Sequence, residues 1–267
     1  MSQGPVAQLK AWEHALRHRT ALADAERLRD SVVDPRTANA EACWAVMWNK
    51  PLYANTYVAI GQRYEEAIAR DMYGAWRFIG INPKQYKITH LRGSNASTNF
   101  TVDGALANQI RADHKIALHR LLAIQGAAQL LRERVETFGE QAPFSNASEE
   151  PLDTLIPLLR TTLGRGWGHI TVMHMLTDLG LSVKPDLHLV AAVQRLGLLT
   201  NMERTKVPSQ QDAVLISEAV ATLAKDFAGG SASPANLRYV DKILMEASRQ
   251  KMLDIATQED NAARNCT

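Results

Sequence analysis

The sequence predicts an all-α protein with irregular insertions around residues 80–103. Three observations carry this expectation. Apolar residues recur at helical spacing along most of the 267-residue chain. The interruptions coincide with proline, glycine or a residue suited to capping a helix. One stretch, 80–103, has no helical period; it holds Asn82-Pro83 and the run Gly93-Ser94-Asn95-Ala96-Ser97-Thr98-Asn99, which is loop chemistry with room for a short strand hairpin.

Taken in order, residues 5–30 carry Val6, Leu9, Leu16, Leu22 and Leu28 among many charges, an amphipathic helical pattern. Asp34-Pro35 breaks it, and Thr37 is placed to cap a second helix containing Cys43, Trp44, Met47 and Trp48. Residues 51–79 read as helix with interruptions at Pro51, Gly61 and Gly74. From Gly104 to Gly139, Leu106, Ile110, Leu118, Leu121, Leu122, Leu130, Leu131 and Val135 predict one long helix or two, with Gly126 as the expected break. A polar linker from Pro143 to Pro151 leads into a helix to about Leu163. A glycine-rich turn follows, then a helix to Leu179 stopped by Gly180. Ser209 with Asp212 three residues on opens a helix closed by Gly229-Gly230, and Pro234 starts a last one through Ala247. The tail after about Asp254 is expected to be loose.

Composition excludes several classes. Two cysteines, Cys43 and Cys266, cannot build a four-thiolate zinc or iron–sulfur site. No run of eighteen apolar residues predicts a membrane span, and Met-Ser-Gln-Gly-Pro does not read as a signal peptide. The expectation is a cytoplasmic protein, in which the Asn-x-Ser/Thr matches at Asn95, Asn99 and Asn146 are chance. The net charge of +2 is mild, yet arginine outnumbers lysine two to one, and arginine is the better fork for phosphates and base edges.

The chemistry concentrates in residues 160–198. Gly166-x-Gly168 lies between leucine-rich helices, where glycines allow a tight turn and leave backbone amides uncovered. Those amides would stand at the start of the helix near His169, a setting that favours an anion such as a DNA phosphate, with Arg165 and His169 adding charge. The same glycines also serve a tight interhelical turn that binds nothing. Trp167 at the tip either packs on a sugar-phosphate backbone or plugs the turn. Farther on, Pro185-Asp186-Leu187-His188-Leu189 sets a carboxylate at a helix start, a natural N-cap. A fixed carboxylate of this kind stabilises oxocarbenium character at a sugar C1′ and orients an attacking water.

Together, Gly166-Trp167-Gly168-His169-Ile170, Asp186-Leu187-His188-Leu189 and Arg195-Leu196-Gly197-Leu198 resemble the helix-hairpin-helix DNA glycosylase superfamily, nearest its 8-oxoguanine glycosylase type. In that family the hairpin reads roughly Leu-x-Gly-Val-Gly-x-Lys-x-Ala and precedes an Asp-x-His-Val segment that often ends in Arg-Leu-Gly. The resemblance covers about forty residues, and the run Asn236–Leu244 is similar to the family's closing helix. It implies a catalytic Asp186, DNA contacts from Arg165, Gly166, Trp167, Gly168 and His169, and a structural His188. Two departures matter. Ile170 stands where bifunctional members carry a lysine nucleophile, which implies a monofunctional enzyme; Lys184 reads as a solvated loop charge. The helix between turn and aspartate is a few residues short, which affects the register of the turn more than Asp186.

Excision from a duplex requires flipping the nucleotide into a pocket with aromatic faces and polar edges. Ten of the sixteen aromatics fall between 44 and 100. Most should be core, but Trp44, Trp48, Tyr53 and Tyr57 are the candidates for the base pocket, with Asn49, Asn55, Gln62, Asn82 and Asn99 able to read base edges. The expected organisation is therefore 1–150 supplying the base pocket, 151–254 supplying hairpin and aspartate, and a tail at 255–267. The expected function is a monofunctional DNA glycosylase acting on double-stranded DNA. Its base would be an oxidised or alkylated purine, or a bulky phage pyrimidine such as glucosylated hydroxymethylcytosine. No metal, no cofactor and no obligate protein partner is expected; a hairpin of this kind can hold a monovalent cation. The alternatives are a non-catalytic helix-hairpin-helix protein that binds DNA structure, and a helical protein whose hairpin contacts another protein.

Overall fold

The computed structural model describes residues 4–17, 19–92, 98–199, 207–231 and 233–254. Among them are twelve α-helices and one antiparallel strand pair. The first half runs α1 (Pro5–Leu16), α2 (Thr20–Asp30), α3 (Ala40–Met47), α4 (Lys50–Tyr53), α5 (Val58–Met72), β1 (Lys87–Arg92), β2 (Thr98–Asp103) and α6 (Ala105–His114). The second runs α7 (Leu118–Phe138), α8 (Leu152–Leu163), α9 (His169–Asp178), α10 (Leu187–Arg195), α11 (Gln210–Phe227) and α12 (Pro234–Arg249). The class is predominantly helical. The irregular region around 80–103 contains the strand pair, with Lys87 opposite Asp103 and His90 opposite Phe100. No helix among the described residues is long and apolar enough to cross a membrane.

The chain forms two compact units, and they do not follow the expected division near residue 150. One comprises the residues up to Asp34 and those from Leu176 onward; the other is Pro35–Met175. Both expected regions, 1–150 and 151–254, are thus divided between the two units, and the expected tail at 255–267 lies outside the described residues.

In the first unit α12 packs against α1, α2, α10 and α11. Its core gathers Leu9, Trp12 and Leu16 with Leu189, Val193, Ile216, Val220, Val240 and Leu244. The apolar positions of each helix recur at three- and four-residue spacing, so one stripe of each turns inward. Ser209 caps α11 by accepting from the Asp212 amide at 3.1 Å, and Ser233 caps α12 in the same way through Asn236.

The second unit is built on α7, which packs against α3, α4, α8 and β1. Three sequence expectations are corrected here. The cap of α3 is Asn39, not Thr37: its side chain accepts from the Ala42 amide at 2.9 Å, while the Ala40 amide is satisfied by the Glu140 carbonyl at 2.8 Å. Helix α5 runs through Gly61 without a break. The break expected at Gly126 falls instead at Lys115, in the left-handed conformation with φ 57°. Gly126 lies inside α7 because α8 crosses there: a Cβ on it would stand 2.1 Å from the Leu163 carbonyl oxygen. The glycine serves a close helix crossing, and its spacing in sequence looks the same as that of a helix stop.

Candidate functional sites

The glycine turn links α8 to α9 within residues 164–168. Gly164 and Gly166 have positive φ, 69° and 96°, and the Gly168 carbonyl receives the first helical bond of α9 from Val172 at 3.0 Å. Gly166 also lies hard against α7: a Cβ there would stand 2.7 Å from the Ala123 Cβ and 3.3 Å from the His119 carbonyl oxygen. No other residue meets both the conformation and the space.

Of the five residues expected to touch DNA, four differ from the fifth in exposure. Arg165, Gly166 and Gly168 are exposed and His169 is half-buried. Trp167 is 3% exposed, and its indole N–H donates to the Ala123 carbonyl at 2.8 Å. Of its two readings the structure takes the plug, so Trp167 does not offer a surface contact.

Arg165 points toward the strand pair. Its guanidinium lies 2.9 Å from the His90 Nε2 and 5.7 Å from the centre of the Phe100 ring, and those two rings are 5.2 Å apart. His119, at the first turn of α7, backs the glycine turn with its carbonyl at Gly166; burial first, and then the charges of Arg120 and Arg165, holds its imidazole below the usual histidine range. Sequence reading did not find His90 or His119. They lie 75 and 46 positions before Arg165, so no local motif joins the three.

Asp186 belongs to the first unit. It is the N-cap of α10, with extended backbone at φ −84° and ψ 175°, and its Oδ1 accepts from the His188 and Leu189 amides, both at 3.0 Å. Pro185 fixes the entry to the cap, and the side chain is half-buried. His188 is exposed, with its Nδ1 3.2 Å from the Ser248 hydroxyl of α12.

Behind this cap is a charge cluster that the sequence reading missed. Arg238 donates to Asp241 at 2.7 Å and reaches Asp178 at 3.0 Å. Asp241 is 3% exposed. Burial pushes its carboxyl up to about 6, against the opposing pull of Arg238; the charges of Asp186 and Asp178 push it further in the same direction as burial. The spacing of Arg238 and Asp241, i and i+3 on a helix, was the available signal.

The candidate base pocket separates by burial. Trp44 is 1% exposed and donates its indole N–H to the Met72 carbonyl; Trp48 is likewise buried. Both are core of the second unit and have no ring face to offer a base. Tyr57 is 82% exposed. Tyr53 is half-buried, donates to Glu65, and stands edge-on to His174 with ring centres 6.3 Å apart. Asn49 donates to the other Glu65 oxygen at 2.8 Å, and its own Oδ1 is buried without a partner among the described residues. Asn55, Gln62 and Asn82 lie at surface or half-buried positions, while the Asn99 side chain lies outside the described residues. No group of three or more His, Cys, Asp or Glu side chains that could hold a metal ion occurs among the described residues. Cys43 is buried, and burial pushes its thiol up to about 12, which leaves it inert at neutral pH.

Comparison of the chain with protein-family models, with curated proteins and with solved structures gave no match.

Proposed function

We propose that this chain is a monofunctional DNA glycosylase that hydrolyses the N-glycosidic bond of a flipped, damaged or modified nucleotide. The observation that carries the reading is the Asp186 cap: a half-exposed carboxylate fixed by two backbone amides after a proline. Departure of the base leaves positive charge on the sugar as the C1′–N bond opens. A carboxylate held by amides does not have to reorganise to meet that charge. One Asp186 oxygen is committed to the amides, and the other is available to take a proton from the water that adds to C1′. The water oxygen becomes the C1′ hydroxyl, and the base leaves carrying the bonding pair and gains a proton.

Strand anchoring is assigned to the exposed turn residues Arg165, Gly166 and Gly168 with His169, whose setting at the start of α9 suits a phosphate. Ile170 offers no amine for a Schiff base, so the product is an abasic site and the strand stays intact. Base recognition is assigned to Tyr57 and Tyr53, which offer an exposed ring and a half-buried one. The substrate class is an oxidised or alkylated purine, or a bulky phage pyrimidine such as glucosylated hydroxymethylcytosine.

The test offers the purified protein normal, uracil-, 8-oxoguanine- and alkyl-containing duplexes together with hypermodified phage DNA. Free base and alkali-labile sites are the expected products from one of them. Release from none of them favours the non-catalytic DNA-binding reading. Strand cleavage without alkali, with an adduct trapped by borohydride, overturns the monofunctional assignment.

A further inference from the structure

We propose that His90, His119 and Arg165 form an anion-binding cluster that takes a phosphodiester of the DNA strand through side chains, beside the backbone amides of the glycine turn. The choice of a nucleic-acid phosphodiester as the anion rests on the function proposed above; the anion site does not.

The cluster is held in place by one short stretch of α7. The strand pair is fixed to it by the Tyr86 hydroxyl, which donates to the Leu121 carbonyl at 2.9 Å. Gln125 adds a pair of hydrogen bonds to the backbone of Ile88, accepting from its N–H at 2.8 Å and donating to its carbonyl at 3.1 Å. The glycine turn is fixed to the same stretch by Trp167 on Ala123 and by the close approach of Gly166 to Ala123. Strand pair and turn are therefore mounted on residues 119–125 of one helix, and His90 and Arg165 meet between them without a flexible linker.

The charges at this place are unbalanced. Arg165 is exposed and carries five donors, yet among the described residues its only hydrogen-bond partner is a histidine nitrogen; no carboxylate pairs with it. Arg120 adds a second guanidinium near His119, although its own N–H groups are committed to the Pro51, Leu52 and Ala54 carbonyls. With no acid partner among the described residues, the Arg165 guanidinium keeps an uncompensated positive charge that an anion can balance. A phosphate oxygen pair matches the guanidinium fork, and each imidazole adds an N–H donor. The Phe100 ring beneath the guanidinium fixes its plane, so little side-chain freedom is lost on binding.

The test follows the histidine ring signals by NMR at constant pH while inorganic phosphate, and separately a short DNA duplex, is added. Both additions should move the His90 and His119 signals in the wild type and leave them in place in Arg165→Gln. The variant should bind the duplex about tenfold more weakly at low salt. Its log affinity against log salt should flatten by about 0.9, because one phosphate fewer is neutralised. His90→Gln, at a half-buried position of the strand pair, should do the same to a smaller extent. If phosphate moves the signals and the duplex does not bind, the anion site stands and its assignment to DNA is overturned. If neither addition moves them, the proposal fails, and base release from any of the five DNAs named above would still uphold the glycosylase reading.

Discussion

Arg238 holds Asp241 through a 2.7 Å bond inside the first unit, and the carboxylate it holds is 3% exposed. Burial moves this carboxyl from 3.8 up to about 6, so the folded protein binds its proton more tightly than the unfolded chain does. Stabilisation from the protonated form is complete below about pH 4 and is lost as pH rises through about 6. That direction is the reverse of an exposed, salt-bridged aspartate. Asp241→Asn cannot titrate, so the wild type should lose stability relative to it between about pH 4 and pH 7, by up to about 3 kcal/mol. Melting temperatures of both proteins across that range test this. A difference that stays flat with pH would show that Asp241 does not titrate there.

Asp186 combines a structural and a proposed chemical role in one side chain, and substitutions can separate them. Asparagine caps a helix about as well as aspartate, so Asp186→Asn should leave stability within about 0.5 kcal/mol of wild type. Alanine lacks the acceptor for the His188 and Leu189 amides, and Asp186→Ala should cost about 1 kcal/mol. Under the proposed function both lose base release, while duplex binding is retained or improved because a negative charge near phosphates is gone. Unchanged base release in Asp186→Asn would remove this carboxylate from the chemistry. Denaturant titration, product analysis and a binding isotherm on the same samples distinguish these outcomes.

The helical class was legible because a 3.6-residue apolar period is a local property of the sequence. Helix ends were less so. Thr37 and Asn39 are both good cap residues, and the choice between them is made by the Glu140 carbonyl, about a hundred positions away, which fixes the Ala40 amide. Gly126 looks like a stop in the sequence because the crossing of α8 that requires it is a tertiary fact. Asp186 was legible as a cap from its own neighbours, and the two amide bonds are there. The salt bridge from Arg238 to Asp178 and the pairing of Arg165 with His90 join residues 60 and 75 positions apart, beyond any spacing rule. Trp44 and Tyr57 differ little as sequence positions and almost completely in exposure, since Trp44 is buried in α3, which packs on α7, whereas Tyr57 is the extended residue that precedes α5.

The mounting of the glycine turn on α7 predicts how it fails. Trp167→Phe keeps most of the buried ring but loses the 2.8 Å bond to the Ala123 carbonyl, which retains only its helical donor. A loss of about 1–2 kcal/mol is expected. Gly166→Ala should cost more, because φ of 96° is strained for alanine and the added methyl meets the Ala123 side chain at 2.7 Å. Gly168→Ala has neither problem, with open space around its Cβ, and should be tolerated. Urea unfolding of the three variants tests the order. If Gly166→Ala proved as stable as Gly168→Ala, the close seating of the turn on α7 would be wrong.

Trp44 and Tyr57 predict opposite patterns of damage. Trp44 is buried in the second unit with its indole bonded to the Met72 carbonyl, so Trp44→Ala should cost about 3–5 kcal/mol through the cavity it leaves and the apolar burial it removes. Any effect of that variant on DNA would follow its loss of folding. Tyr57 is 82% exposed, and Tyr57→Ala should change stability by less than about 0.5 kcal/mol. If Tyr57 stacks on the flipped base, its removal takes away about 1–3 kcal/mol of base–aromatic stacking. That corresponds to a roughly 5- to 150-fold weaker complex with DNA carrying an extrahelical base, and to little change for a fully paired duplex. Affinities for the two DNAs, measured side by side at one salt concentration, provide the check. An equal loss for both would make Tyr57 a general strand contact, and no loss for either would remove it from the base pocket.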